Sequence, residues 1–286
     1  DLAVLLLEGI TKVAPPVSAA DEADPVRAAR AAAKGTEAFA ASLTAWLGAQ
    51  LGEKGSGDGK VAASELFEPR DLAVGGDVAE ASWLAERFAA YAPVPFDERL
   101  DLIAGDALEL AHGKTFGRYA HTMPTRRELR GRLLRMMRAK NPLALYKRFL
   151  ADTGQSALFK APAKGVVEWE DAFPVVLCAL AFAGPDGFGA ASSVRHLVID
   201  EMQDYTQAQY AIINYLFPCP KTILGDITQN LSLCSGVRSL DAFDGQQAEI
   251  VRLCKSFRST WEIAMFCNAI CPAEGFEAVE RHGRAP

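Results

Sequence analysis

Val194-Arg195-His196-Leu197-Val198-Ile199-Asp200-Glu201-Met202-Gln203-Asp204 is the stretch whose reading decides the fold. Leu197, Val198 and Ile199 are consecutive, apolar and mostly β-branched, the pattern of a parallel-sheet strand covered on both faces. The run ends abruptly in Asp200 and Glu201, at the strand's carboxyl end, where open α/β sheets place their ligands. An Asp-Glu pair there suits nucleotide hydrolysis. One carboxylate can hold the nucleotide's magnesium, and the other can orient and deprotonate the attacking water. A solvated strand end has the same composition, so the pair takes its meaning from the segments C-terminal to it.

Two such segments occur, in order. Lys221-Thr222-Ile223-Leu224-Gly225-Asp226-Ile227-Thr228-Gln229 is a second short strand ending in Gly-Asp, with a Gln three residues on. Leu253-Cys254-Lys255-Ser256-Phe257-Arg258-Ser259-Thr260 is a third, with an aromatic-Arg pair ahead of a helix start. Together, over about 194–270, they resemble motifs II, III and IV of the UvrD/Rep branch of superfamily 1 helicases. The wording VIDEMQDYTQAQY, LGDITQNL and KSFRSTWEI is most similar to HelD-type ATPases, which bind bacterial RNA polymerase and help recycle it.

The resemblance implies an α/β fold: part of a P-loop NTPase (RecA-like) parallel sheet with a mostly helical inserted domain. The inserted domain would cover residues 1–165, and the second half of the first RecA-like domain 166–286. ATP and magnesium would be the cofactors. Asp200, with Glu201 beside it, would hold magnesium, and Glu201 would be the catalytic base. Gln203 and Asp204 would link the nucleotide site to the strand or partner surface, and Asp226 would join the nucleotide-binding set. Gln229 would sense the γ-phosphate through its amide, and Arg258 would contact the same phosphate. Phe257 stands where the family usually has Tyr and would stack on the adenine. Met202 replaces a small residue common in the family.

The departure is the phosphate loop. Gly59-Lys60 has Lys54 and Val61 where a loop needs Gly and Ser or Thr. Gly113-Lys114-Thr115 has Leu108 at the first position and comes after a helix instead of a strand. The chain thus carries half a nucleotide site and reads as an interior fragment, as its lack of an initiating Met also suggests. Two function classes stay open: an ATP-driven motor on nucleic acid or RNA polymerase, and a non-hydrolysing module that docks on one of them.

Composition bounds the rest. The 286 residues are 50% hydrophobic and 23% charged, which is globular. No apolar run approaches a membrane span, and the start lacks a signal peptide's basic region. Six scattered cysteines, without a CxxC or a neighbouring His, point to reduced core thiols in a cytoplasmic protein.

The net charge of −6 conceals a basic segment. Between Lys114 and Arg148 lie eleven Lys or Arg against one acid, Glu128. Thr125-Arg126-Arg127-Glu128 is a capping box opening a helix that stops before Asn141-Pro142. Leu129, Leu133, Met136 and Met137 form its buried stripe. Arg127, Arg130, Arg135 and Arg138 line its other faces, as a contact to DNA phosphate or to an acidic surface such as RNA polymerase. The alternative is a solvated face paired with the chain's own acids. The acidic remainder and the lack of interleaved aromatics favour the protein surface over single-stranded nucleic acid.

Elsewhere residues 1–60 read as helices, with Thr36 as an N-cap and a loop over Gly52–Lys60. Asp77-Val78-Ala79-Glu80 reads as a capping box for a helix to about Tyr91, and a further helix covers about Asp97–Ala111. Leu143–Ala151 and Trp169–Phe182 are two more, with a start or kink expected at Pro174. A loop over Gly184–Gly189 leads to the first strand. Helices over about Gln207–Leu216 and Thr260–Ile270 alternate with the strands.

Overall fold

The computed structural model describes residues 24–51, 66–92, 94–114, 123–164, 166–184, 193–226, 229, 248–272 and 275–283. The Gly52–Lys60 loop, the start of the chain before residue 24 and the Gly184–Gly189 loop beyond Gly184 lie outside the described residues.

Helix α1 (Pro25–Lys34) begins where the Asp24 carboxylate accepts the N–H groups of Val26 and Arg27, with Pro25 at the first helical position. Helix α2 (Glu37–Leu51) starts at Thr36, whose hydroxyl accepts the Phe39 N–H at 3.2 Å, as its sequence implies. The next segment corrects the reading from sequence. Leu72–Val74 (β1) and Asp77–Ala79 (β2) form an antiparallel hairpin around Gly75, which takes φ 63°. Gly75-Gly76 is a hairpin turn pair that claims Asp77 for a strand. Helix α3 therefore spans Ala81–Ala90, and Asp71, not Asp77, accepts the Ala81 N–H, at 2.9 Å.

Helix α4 (Phe96–Lys114) packs against α5 (Arg126–Met136), which opens with the expected Thr125–Glu128 capping box. The Thr125 N–H and hydroxyl hold the Glu128 carboxyl below its ordinary range. Leu129, Leu133 and Met137 are buried, and Met136 is half-buried against the core. Asn141 caps α6 (Pro142–Asp152).

Helix α7 (Trp169–Ala183) is the centre of the molecule. Every residue from Asp171 to Phe182 is buried, as expected for a helix apolar on all sides. It starts ahead of Pro174 and continues through it, with the hydrogen bond that proline cannot donate missing. Helices α2, α4, α6 and α8 (Gln207–Leu216) all pack on α7. One hydrophobic core runs from Phe39 to Leu216.

Helix α1 is attached differently, since its three buried side chains are Arg27, Arg30 and Lys34. They meet carboxylates at the start of α7: Arg27 with Glu170 at 3.1 Å, Arg30 with Glu168, and Lys34 with Asp171 at 2.7 Å. The positive end of the α7 dipole favours acids at that position. Burial raises the Asp171 carboxyl, Lys34 opposes the shift, and the Tyr146 hydroxyl donates to it at 2.7 Å.

The α/β part is small. Leu197–Ile199 (β3) and Lys221–Ile223 (β4) pair in parallel, Ile199 opposite Ile223. Ile199, Met202, Tyr210 and Ile213 make a second small core beneath them. Val198 is 60% exposed, so β3 is covered on one face and not on both. Its residues alternate inward and outward with the period of two that a one-sided strand shows. Lys255–Ser256 (β5) pairs in parallel with Glu277–Ala278 (β6), apart from β3–β4, with α9 (Trp261–Ile270) between them in sequence. Among the described residues the chain is mixed α/β with two-stranded sheets only. The cysteines are not all core thiols: Cys178 is buried, whereas Cys254, Cys267 and Cys271 are exposed. Among the described residues no helix is long and apolar enough to cross a membrane.

Arg99 tests this packing. It is 1% exposed, donates to the carbonyls of Leu51, Ala92 and Val94, and lies over the rings of Phe88 and Phe96. Burial pushes its guanidinium down to about 10, so it stays charged at neutral pH. Replacing it with alanine strands buried carbonyls and opens a cavity. Arg99→Ala is expected to lower unfolding free energy by about 3 kcal/mol or more in a denaturant titration. A loss below about 1 kcal/mol, the worth of one ordinary hydrogen bond, would contradict that role for the guanidinium.

Candidate functional site

The loops after β3 and β4 are held together by backbone before any side chain contributes. The Leu224 N–H donates to Ile199 O at 2.7 Å, and the Met202 N–H returns to Leu224 O at 2.9 Å. The parallel pairing therefore continues past both strands and brings the segments after Ile199 and Ile223 side by side. Thr206 then opens α8 with a capping box closed by Gln209, and the Tyr210 hydroxyl donates back to Met202 O at 3.1 Å. The turn carrying the carboxylates is thus tied at both ends.

Asp200 and Glu201 are both exposed at the strand end. Asp200 Oδ1 accepts the Glu201 N–H at 2.9 Å. Glu201 adopts φ 51° and ψ 51°, and it is the one non-glycine with positive φ among the described residues. Left-handed backbone costs an ordinary L-residue roughly 1–2 kcal/mol. Such strain persists only where its surroundings impose it, and functional sites are a frequent setting.

Gln203 imposes part of it. Its side chain is buried, at 2% exposure, and works in both directions. Nε2 donates to Glu201 Oε2 at 2.7 Å, and Oε1 accepts the Asp226 N–H at 3.0 Å. Asp226 Oδ2 in turn accepts from Gln229 Nε2 at 2.9 Å. Asp200, Glu201, Gln203, Asp226 and Gln229 therefore form one hydrogen-bonded chain across two strand ends. Asp204 is exposed on the outer side of the same turn.

Phe257 and Arg258 lie elsewhere. They come directly after β5, both are exposed, and Arg258 O accepts from Arg281 Nη2 at 2.7 Å. No hydrogen bond or ion pair among the described residues joins them to the Asp200 chain. Beside them Glu262 at the start of α9 accepts from His282 Nδ1 at 2.8 Å and from the Gly283 N–H at 3.1 Å. These bonds, His282 first, hold the Glu262 carboxyl down to about 2.

Among the described residues no group of three or more His, Cys, Asp or Glu is placed to hold a metal by itself. The donors present fit magnesium better than a metal caged entirely by protein. Magnesium retains waters and takes one or two carboxylates plus substrate phosphates. Asp200 commits one oxygen to the Glu201 N–H, and its other oxygen makes no bond among the described residues.

The basic helix ends at Met136, short of Asn141-Pro142, because Met137 turns extended and bridges to Phe67. Arg130 on it pairs with Asp97 at 2.8 Å, and Arg138 beyond its end pairs with Glu68 at 2.5 Å. Arg127 and Arg135 are exposed and have no ion-pair partner among the described residues. Half of the stripe thus meets the chain's own acids and half is available to a partner.

Sequence reasoning missed Gly225. A Cβ there would lie 2.5 Å from Met202 Cγ and 2.7 Å from the Met202 nitrogen. The Gly-Asp step of the second segment was the available signal, since close backbone approach requires glycine. Met202, 4% exposed, fills the space behind the carboxylates against that glycine.

Compared with known protein families and with curated proteins, the chain shows no significant match.

Glu201→Ala and Glu201→Gly both remove the carboxylate that accepts from the buried Gln203 amide, so both are expected to destabilise. Glycine alone also relieves the left-handed backbone, and its variant is expected to be the more stable of the two by about 1 kcal/mol. Gly225→Ala forces Met202 and the backbone apart and is expected to cost about 1–3 kcal/mol. Chemical denaturation checks all three, and a glycine variant no more stable than the alanine one would count against imposed strain.

The Glu262 tether is expected to respond to acid. Its carboxyl is depressed, so its contribution is complete above the ordinary value of 4.5 and is lost as pH falls toward about 2. Amide exchange at Gly283, measured across that window, should accelerate as pH falls relative to a Glu262→Gln variant. An equal pH response in the two proteins would remove the tether's role.

Proposed function

We propose that the chain carries the magnesium-binding and water-activating half of a RecA-like ATPase, within a superfamily 1 helicase-like motor that remodels nucleic acid or RNA polymerase complexes. The observation that carries the reading is the Asp200–Glu201–Gln203–Asp226–Gln229 chain, built where parallel strands end and strained at Glu201. Asp200 would hold magnesium, which supplies charge neutralisation at the β- and γ-phosphates. Glu201 would take the proton of the attacking water as its oxygen bonds to the γ-phosphorus and ADP leaves. Gln203 positions that carboxylate by occupying Oε2. Gln229 would report the γ-phosphate to Asp226 and Gln203, and Arg258 would meet the same phosphate once brought to it. Phe257 would offer a stacking face to the adenine. The proposal requires a phosphate-binding loop that residues 1–286 do not contain.

RNA polymerase or DNA would dock along the 114–148 segment, chiefly through Arg127 and Arg135. The second reading, a non-hydrolysing docking module, is favoured by one observation: Phe257 and Arg258 follow a strand of a pair separate from that of the carboxylates.

The test is turnover. The 286-residue chain alone is expected to hydrolyse no ATP. Where the chain is joined to a phosphate loop, Glu201→Gln should keep nucleotide binding and cut turnover by about 10²–10⁴-fold. Arg258→Ala should cut it by roughly 10³–10⁵-fold. Near-normal rates in both variants would end the hydrolase reading and leave the docking module.

A further inference from the structure

We infer that the cleft between the β1 hairpin and α5 is a binding site for a phosphate dianion, a diphosphate or the terminal phosphate of a larger ligand. Arg70, Asp71, Leu72, Ala73, Arg132, Arg135 and Met136 line a cavity of about 300 Å³, at the lower end of the range for small-molecule sites. Three guanidiniums from two separate elements face one space. Arg132 is fixed by a bond from Nη1 to Ala73 O at 3.0 Å, which joins α5 to the exposed residue of β1. Arg70 and Arg135 are exposed and have no ion-pair partner among the described residues, unlike Arg126 and Arg130 on α5 and Arg138 just beyond it.

The one acid in the lining is already committed. Asp71 Oδ1 accepts the Ala81 N–H at 2.9 Å, at the positive end of α3, which offsets its charge. The cleft therefore presents a net positive charge of about two, with planar donor forks on more than one side. A carboxylate is satisfied by a single bidentate fork. A phosphate monoester carries about −1.5 to −2 charges and three outward oxygens, which matches three forks and that net charge. The terminal phosphate of a diphosphate presents the same three oxygens. The nearly buried Leu72 and the stem of Met136 form an apolar floor that lowers the local dielectric and strengthens the contacts. The inference rests on the cleft alone and is independent of the nucleotide-hydrolysis reading.

The test is calorimetric titration of pyrophosphate into the 286-residue chain at low ionic strength, with EDTA present so that no magnesium site contributes. One saturable site is expected. The double variant Arg70→Gln/Arg135→Gln should lower its affinity at least tenfold while unfolding at the wild-type midpoint. Lys140→Gln, from the same basic segment but outside the cleft, should bind as wild type does. If the double variant unfolds, Arg135→Lys keeps the charge, loses the fork and should still weaken binding severalfold. Competition identifies the source. Displacement of pyrophosphate by a 5′-phosphorylated oligonucleotide, but not by its dephosphorylated twin, assigns the site to a nucleic-acid end. Displacement by neither assigns it to a small diphosphate. Equal displacement by both would overturn the dianion requirement. No saturable binding to the wild-type chain, or unchanged affinity in the double variant, would overturn the site.

Discussion

The buried amide of Gln203 is the constraint on which the strand-end site depends. An amide in a low-dielectric position must satisfy both its donor and its acceptor. Here the donor goes to Glu201 and the acceptor to the Asp226 backbone. The first bond is local and turns the chain back on itself within two residues, and the second crosses to the segment after the neighbouring strand. Satisfying both requires Glu201 to take left-handed backbone and the segment after β4 to approach closely enough that only glycine fits at 225. The carboxylates owe their exposure to the same device, because the turn that buries Gln203 and Met202 pushes Asp200 and Glu201 outward.

Much of the fold was legible because its signals were local. The helix starts at Thr36 and Thr125 and the limits of α8 are written in capping residues and periodic apolar stripes, and the structure agrees with them. The failure at Asp77 was also local: the capping-box letters were present, but Gly75-Gly76 immediately before them made a hairpin turn, and strand pairing prevailed. The coverage of β3 was not legible, since three consecutive apolar residues look alike whether one face is covered or two. Val198 settles that only in three dimensions.

At the site, residue identity was legible and connectivity was not. Asp200, Glu201, Gln203, Asp226 and Gln229 could be named from short motifs, but the order in which they bond could not. Arg258 and Phe257 belong to the same pattern in sequence and follow a strand of a different pair in the structure. Charge was the least legible property. The basic helix looks uniform as a string of letters, whereas ion pairs neutralise Arg126, Arg130 and Arg138 and leave Arg127 and Arg135. Asp97, Asp101 and Glu68 come from elements 25 or more residues away, beyond any local rule.

Helix α1 is fastened to α7 by cations on carboxylates, with no buried apolar side chain of its own. An attachment of this kind has an unusual thermodynamic character. Lifting the helix would uncover little hydrocarbon, so the step would carry a small heat-capacity change and a shallow denaturant dependence. Its strength would instead vary with ionic strength, as far as partial burial lets salt screen the pairs. The first described helix is thus a clasp of charge on charge, over a core that urea and heat must melt.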